Sequence, residues 1–284
     1  MQEPLEILGN RPKASLGSSP SRILEVKNLR KVHQIQDGKK RGSLVVFDGL
    51  NFEVNEGELV TIVGPSGVGK STLLNVLASM EPYEGGEVVV TGHRVSTSQP
   101  DIILIFQEDA LFPWLTVAEN VAFGLRMKGI GKEESRAVAS RYIALVQLTR
   151  FSDSYIHQLS GGMKQRVSIA RALALNPRIL LMDEPFGALD YRTREDLQKE
   201  IQEIHAKTGK TILLVTHDIR EAVSLGDRVI LMSGKPARIK QQYVVDLARP
   251  RSSSDPRLHV LVDEIMHDLR SDGAEGVVDE FSTG

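Results

Sequence analysis

Three stretches of the chain combine residue types and spacings suited to phosphate chemistry. Gly64, Pro65, Ser66, Gly67, Val68, Gly69, Lys70, Ser71 and Thr72 read G-x-x-x-x-G-K-[ST] directly after an apolar run. Glycines at those positions let backbone N–H groups converge on phosphate oxygens, and the helix that follows turns its positive end toward them. Lys70 is spaced to reach β- and γ-phosphates, Ser71 to ligate Mg2+, and Thr72 to help position the phosphates. The stretch "ILLMDEP" ends an apolar run with two acids. Asp183 suits the water shell of Mg2+, and Glu184 suits a general base that polarises an attacking water. The third stretch, "QLSGGMKQR", opens a helical pattern with Ser160 at the capping position, which would aim helix amides and the helix dipole at an anion.

Two further residues close apolar runs. His217 in "LLVTHD" and Gln107 in "LIFQED" are each unremarkable alone. Beside a nucleotide, the first can sense a γ-phosphate, and the amide of the second can contact Mg2+ or the attacking water. The glycine-rich loop already cradles one set of phosphates, and Ser160 lies 90 positions after Lys70. A second anion-binding turn therefore serves another nucleotide, or another face of one. Two copies meeting head to tail would let the Ser160 turn of one close over the phosphate held by Lys70 of the other.

Positioning these residues requires strands. "ELVTIVG", "IILIFQE", "RILLMDE" and "TILLVTH" are short, rich in Ile, Val and Leu, and separated by helical patterns. Runs apolar on both faces suit buried parallel strands of an α/β sheet, whose polar ends face ligands. Earlier, "RILEVKNLRKVH" and "SLVVFDGLNFEV" flank "QIQDGKKRG", a hairpin pattern with Lys39, Lys40 and Arg41 in a solvated loop. A helical insert is expected over roughly 109–158, with a capping box at Thr116 and Glu119 and an apolar stripe of Val138, Tyr142, Leu145 and Val146. A helix starting after Asp190, its N-cap, should stop at Gly209. Near the end, Leu258, Leu261, Val262, Ile265, Met266 and Leu269 form a stripe expected to pack on the core.

Bulk properties exclude several classes. Of 284 residues, 41% are hydrophobic and 25% charged, the balance of a globular chain. No run of eighteen apolar residues marks a membrane span. A net charge of -2 gives no global attraction to nucleic acid or anionic lipid, and the absence of cysteine removes disulfides, thiolate metal sites and thiol nucleophiles. The first 21 residues, with Glu3 and Glu6 and no apolar core, read as a flexible extension, and the last stretch, "SDGAEGVVDEFSTG", as frayed.

Taken in this order, the motifs resemble those of the ATP-binding-cassette (ABC) ATPases, over about Ile23 to Met232. The matching residues are the 64–72 loop as Walker A, Gln107 as the Q-loop, "LSGGMKQR" as the signature, Asp183 and Glu184 closing Walker B, "GALD" ending at Asp190 as the D-loop, and His217 as the switch histidine. The resemblance implies an α/β P-loop NTPase core of F1/RecA-like type, with an antiparallel β subdomain and an α-helical signature subdomain at about 109–165. The ATPase domain would occupy 22–250, followed by a C-terminal helix and tail over 251–284. It implies ATP and Mg2+ as cofactors, with Ser160, Gly161, Gly162, Gln165 and Asp190 also touching nucleotide, and a homodimer around two ATP. The family commonly stacks adenine on a Tyr near the first strand. His33 holds the matching position here, with Phe47 as a substitute.

Only 52 positions separate Gln107 from Leu159, too few for the coiled-coil arm of chromosome-maintenance relatives, and a single cassette disfavours fused exporters and paired-cassette translation factors. "FQEDALFPWLTVAENVAFGL" looks like the nitrate, sulfonate and taurine branch of importer ATPases. The implied role is an ATPase on the cytoplasmic face of the inner membrane. It would be bound to integral membrane permease subunits, served indirectly by a periplasmic solute-binding protein, and free of nucleic acid. Pro113 and Trp114 would lie near the groove for a permease helix, or Trp114 would anchor the insert's core. Export or lipid transport, a nucleic-acid-linked ATPase, and a binding module without hydrolysis are the competing readings.

Overall fold

The computed structural model describes residues 21–37, 40–95, 101–108, 110–252 and 254–275. Residues 1–20 of the expected extension, Lys39, Asp109 and the tail beyond 275 lie outside them. The chain divides into two compact units, one spanning 100–212 and the other made of 20–99 and 213–284.

The two-segment unit opens with β1 (Arg22–Asp37) and β2 (Lys40–Asn55), which pair antiparallel from Arg22↔Asn55 to Asp37↔Lys40. The ladder runs further than the sequence pattern suggests: Lys40 and Arg41 sit on β2 instead of in a loop, because Gln36↔Arg41 and Asp37↔Lys40 continue the register. Next come β3 (Leu59–Val63), buried at every position, and α1 (Lys70–Leu77). β4 (Gly85–Val90) pairs antiparallel with β1, and β5 (His93–Arg94) completes a sheet of order β2-β1-β4-β5.

The 100–212 unit contains β6 (Ile102–Ile105), α2 (Val117–Met127), α3 (Lys132–Leu145), α4 (Gly161–Ala174), β7 (Ile179–Asp183) and α5 (Tyr191–Thr208). β6 and β7 pair in parallel from Ile102↔Ile179 to Ile105↔Met182, as their continuous apolar composition requires. The capping box at Thr116 and Glu119 forms, so two orphan donors at the start of α2 are satisfied reciprocally. Val138, Tyr142 and Val146 are buried on the α3 stripe. Asp190 caps α5 and Gly209, at φ 60°, ends it in the left-handed conformation that glycine adopts without penalty.

β8 (Thr211–Val215) leads back into the two-segment unit, followed by α6 (Ile219–Leu225), β9 (Arg228–Ser233), β10 (Arg238–Val244) and α7 (His259–Glu275). There the strand order is β10-β9-β3-β8, with β9 parallel to β3 and β10 antiparallel to β9. The C-terminal stripe packs as expected: Leu258, Val262 and Ile265 are buried with Val63, Val229, Leu231 and Tyr243, and Leu261, Met266 and Leu269 lie against them. Tyr243 also donates its hydroxyl to Asp268 of α7, tying that helix to β10.

Candidate functional site

The glycine-rich loop links a fully buried strand to a helix, and its backbone uses conformations that side chains resist. Gly67 and Gly69 have φ of 76° and 104°. At Gly64 a Cβ would sit 2.3 Å from the carbonyl oxygen of Met232, and at Gly69 it would sit 2.6 Å from Val46 Cγ1. Gly64 is therefore fixed by crowding and Gly67 by conformation alone, since nothing lies within 4 Å of a Cβ placed there. Lys70 is 5% exposed and donates from Nζ to the carbonyls of Gly64 and Pro65 at 2.9 and 3.0 Å. α1 starts after Gly69, which has no side chain to cap it, so its N-terminal end faces the loop, an arrangement that fits a phosphate. Ser66 and Ser71 are exposed, Thr72 is half-buried, and Val68 is buried beneath the loop.

His217 follows β8, the neighbour of β3, and Thr216 N–H donates to Ile62 O at 3.1 Å. The exposed His217 thus lies at a strand mouth adjacent to the one that feeds the loop. Thr216 Oγ1 donates to buried Glu221 at 2.6 Å, and Asp218 caps α6, so both residues flanking His217 are fixed.

In the 100–212 unit, Gln107 and Glu184 each lie two residues beyond a paired position, Ile105↔Met182. They converge: a methyl group on Gly187 would lie 3.6 Å from Gln107 Nε2 and 3.9 Å from Glu184 Oε2. Glu184 has φ 42°, a left-handed conformation that costs a non-glycine residue on the order of 1–3 kcal/mol, and Gly187 N–H bonds its carbonyl at 3.1 Å. Asp183, half-buried, ends β7 beside it.

Ser160 caps α4, accepting from Met163 N–H at 3.4 Å, and Gly161 is exposed beside it. Asp190 accepts from Thr193 N–H at 3.0 Å and from Thr193 Oγ1 at 2.7 Å, and these bonds hold its carboxyl below the usual range. Gln165 departs from expectation. Its side chain is 2% exposed on the packed face of α4, with Nε2 lacking a hydrogen-bond partner among the described residues. It therefore offers no surface to nucleotide in this chain.

The base-binding expectations separate. Phe47 is 0% exposed, packed beneath Gly69, and presents no face for stacking. His33 retains an open edge, with Nε2 3.2 Å from Glu81 Oε2. Glu81 also accepts from Asn75 and pairs with Lys31, which help to keep its carboxyl ionised against the opposing effect of burial.

Trp114 is 69% exposed, which removes it from the core of the helical segment. Its loop is held by Asn120, which is fully buried: Oδ1 accepts from Phe112 N–H, and Nδ2 donates to the carbonyls of Phe112, Leu115 and Thr116 at 3.0–3.2 Å. Beside the loop, Ile103, Ile105, Phe112, Phe123, Arg171 and Leu175 line an apolar groove of about 220 Å3. Motif reading missed Asn120, Glu221 and Thr193. The first had a signal, an amide on the apolar face of α2 one turn beyond its cap.

A phosphate loop between a buried strand and a helix, with acids and amides at the ends of parallel strands, defines a P-loop nucleotide hydrolase. A family model described as ABC transporter matches residues 47–187. The chain is 43% identical over 255 residues to an ABC transporter ATP-binding protein of Methanocaldococcus jannaschii, covering 87% of this chain and 94% of that one. It is 45% identical over 217 residues to the taurine import ATP-binding protein of Burkholderia pseudomallei, covering 76% and 84%. To the nitrate import ATP-binding protein of Synechocystis sp. it is 43% identical over 224 residues, covering 79% and 83%. A solved ATP-binding cassette, a dimeric post-hydrolysis state bound to ADP and Pi, superposes with a TM-score of 0.68 at 34% identity, over 80% of this chain and 100% of that one. The chain belongs to the ABC transporter ATP-binding family and is an ATPase. Its fold is the cassette: a P-loop α/β core with an antiparallel β subdomain and a helical signature subdomain.

Proposed function

We propose that this chain powers an ABC importer for a small anionic solute of the nitrate, sulfonate or taurine type. The convergence of Gln107 and Glu184 on Gly187, at the ends of paired parallel strands, carries the hydrolytic part of the reading. The import part is supported by relatives named for taurine and nitrate import that cover most of the chain. Among the described residues no helix is long and apolar enough to cross a membrane. Separate permease subunits, the partners that import ATP-binding proteins serve, would carry the solute. The groove beside exposed Trp114 suits an apolar helix of such a partner, which would hold the ATPase at the cytoplasmic face of the membrane. A periplasmic solute-binding protein would deliver the solute to the permease.

Lys70 and the loop amides bind the triphosphate, and His33 lies against the base. Ser71 of the two-segment unit, and Gln107 and Asp183 of the 100–212 unit, carry hard oxygen donors suited to Mg2+, which when bound would neutralise phosphate charge. Glu184 takes a proton from water, and His217 fixes the γ-phosphate end of the site. A second copy supplies Ser160, Gly161 and Asp190, so each homodimer holds two shared sites.

The test is reconstitution with the permease that co-purifies with this chain, and with that permease's solute-binding protein. Hydrolysis stimulated by taurine, a sulfonate or nitrate supports the reading. Stimulation by DNA or RNA instead, or by none of these anions, overturns it.

A further inference from the structure

The two glycines of the Ser160 turn are packed against the residues that flank Asp190. A Cβ on Gly161 would lie 3.6 Å from Leu189 Cδ2, and one on Gly162 would lie 2.3 Å from Thr193 Cγ2. The second distance is shorter than any real Cβ contact, so the Thr193 methyl occupies the space that a side chain at 162 would need. The other branch of the same side chain points to the opposite partner: Thr193 Oγ1 donates to Asp190 Oδ2 at 2.7 Å, while its amide donates to Oδ1 at 3.0 Å. A single β-branched residue therefore touches both turns. Its stiff χ1 means that neither branch moves without the other.

We propose that Thr193 is a positioning residue for the hydrolytic reaction, holding the Asp190 turn in register with the Ser160 turn so that both are presented to nucleotide as one rigid piece. Gly162 is small because Thr193 is there, and Thr193 is branched because it must fill that space and hold Asp190 together. Serine lacks the methyl, and valine lacks the hydroxyl. The inference rests on the proposal that the Ser160 turn closes over a γ-phosphate.

Steady-state hydrolysis and binding of a fluorescent ATP analogue to Thr193→Val, Thr193→Ser and Ser160→Phe test it. Thr193→Val lowers kcat about tenfold, the scale of one lost hydrogen bond to a charged group, and leaves KM and the analogue's affinity within about twofold. Thr193→Ser, which keeps the bond to Asp190 and loses the methyl against Gly162, lowers kcat by about threefold. Unaltered kcat in either variant overturns the proposal. Should Thr193→Val fail to fold, Gly162→Ala and the double variant Gly162→Ala/Thr193→Ser decide: removing the methyl must restore turnover lost to the added Cβ, and no recovery overturns it. Ser160→Phe separates the two levels. Full hydrolysis in that variant defeats the shared site itself, whereas an inactive Ser160→Phe beside an unaltered Thr193→Val defeats only the role of Thr193.

Discussion

The Arg166 guanidinium Nε lies 3.1 Å from Glu200 Oε2, and this pair joins α4, which carries the Ser160 turn, to α5, which begins at Asp190. Glu200 is 4% exposed, and burial pushes its carboxyl up to about 7 against the opposing pull of Arg166. A carboxyl raised above its unfolded value binds more protons in the folded chain. Its contribution to stability is therefore full below about 4.5 and is lost as pH rises through about 7. Thermal melting between pH 5 and 8 should show a decline on the order of 2–3 kcal/mol from this group. Glu200→Gln should flatten that decline; an unchanged slope would rule the group out as its source.

Gly64 and Gly67 predict different failures. Gly64→Ala must push a Cβ into the Met232 carbonyl at 2.3 Å, where the obstacle is backbone that cannot rotate away. Gly67→Ala meets open space and only a strained φ of 76°, a cost of about 1–2 kcal/mol. Melting temperature and ATP-analogue affinity should both fall further for Gly64→Ala, and equal losses would contradict the crowding argument.

Asn120 and Trp114 occupy one loop with opposite expectations. Asn120→Ala strands several backbone groups inside the 100–212 unit and should cost about 2–4 kcal/mol. Trp114→Ala alters a side chain 69% exposed and should change stability by less than about 1 kcal/mol while reducing co-purification with the permease. A large melting shift for Trp114→Ala, with permease binding intact, would reverse the assignment.

Glu184→Gln preserves shape and the left-handed backbone while removing the proton acceptor. Turnover should drop at least about 100-fold with ATP binding retained, the loss expected of a general base. Rapid hydrolysis by this variant would move the base elsewhere.

Local rules made much of this fold legible. Thr116 with Glu119, and Asp190 with Gly209, mark helix ends through bonds to residues within one turn, so four positions suffice to read them. The buried runs that became β3, β6, β7 and β8 were equally plain, since a strand apolar on both faces needs no partner to be recognised. β4, β9 and β10 were not anticipated. β10, in particular, alternates weakly in "RIKQQYV", and its place follows from pairing with β9, a non-local choice. The candidate site divides the same way. Loop and strand-end residues were found by spacing, whereas burial of Gln165 and Phe47 depends on what packs over them. The double role of Thr193 depends on two helices meeting, which no window of sequence displays.

Lys70 spends its ammonium on two carbonyls of its own loop. The loop thereby carries an internal stand-in for the ligand's charge, a tether that keeps its curve from collapsing between one nucleotide and the next. A loop shaped in advance by its own groups leaves little ordering entropy to be lost when a triphosphate binds.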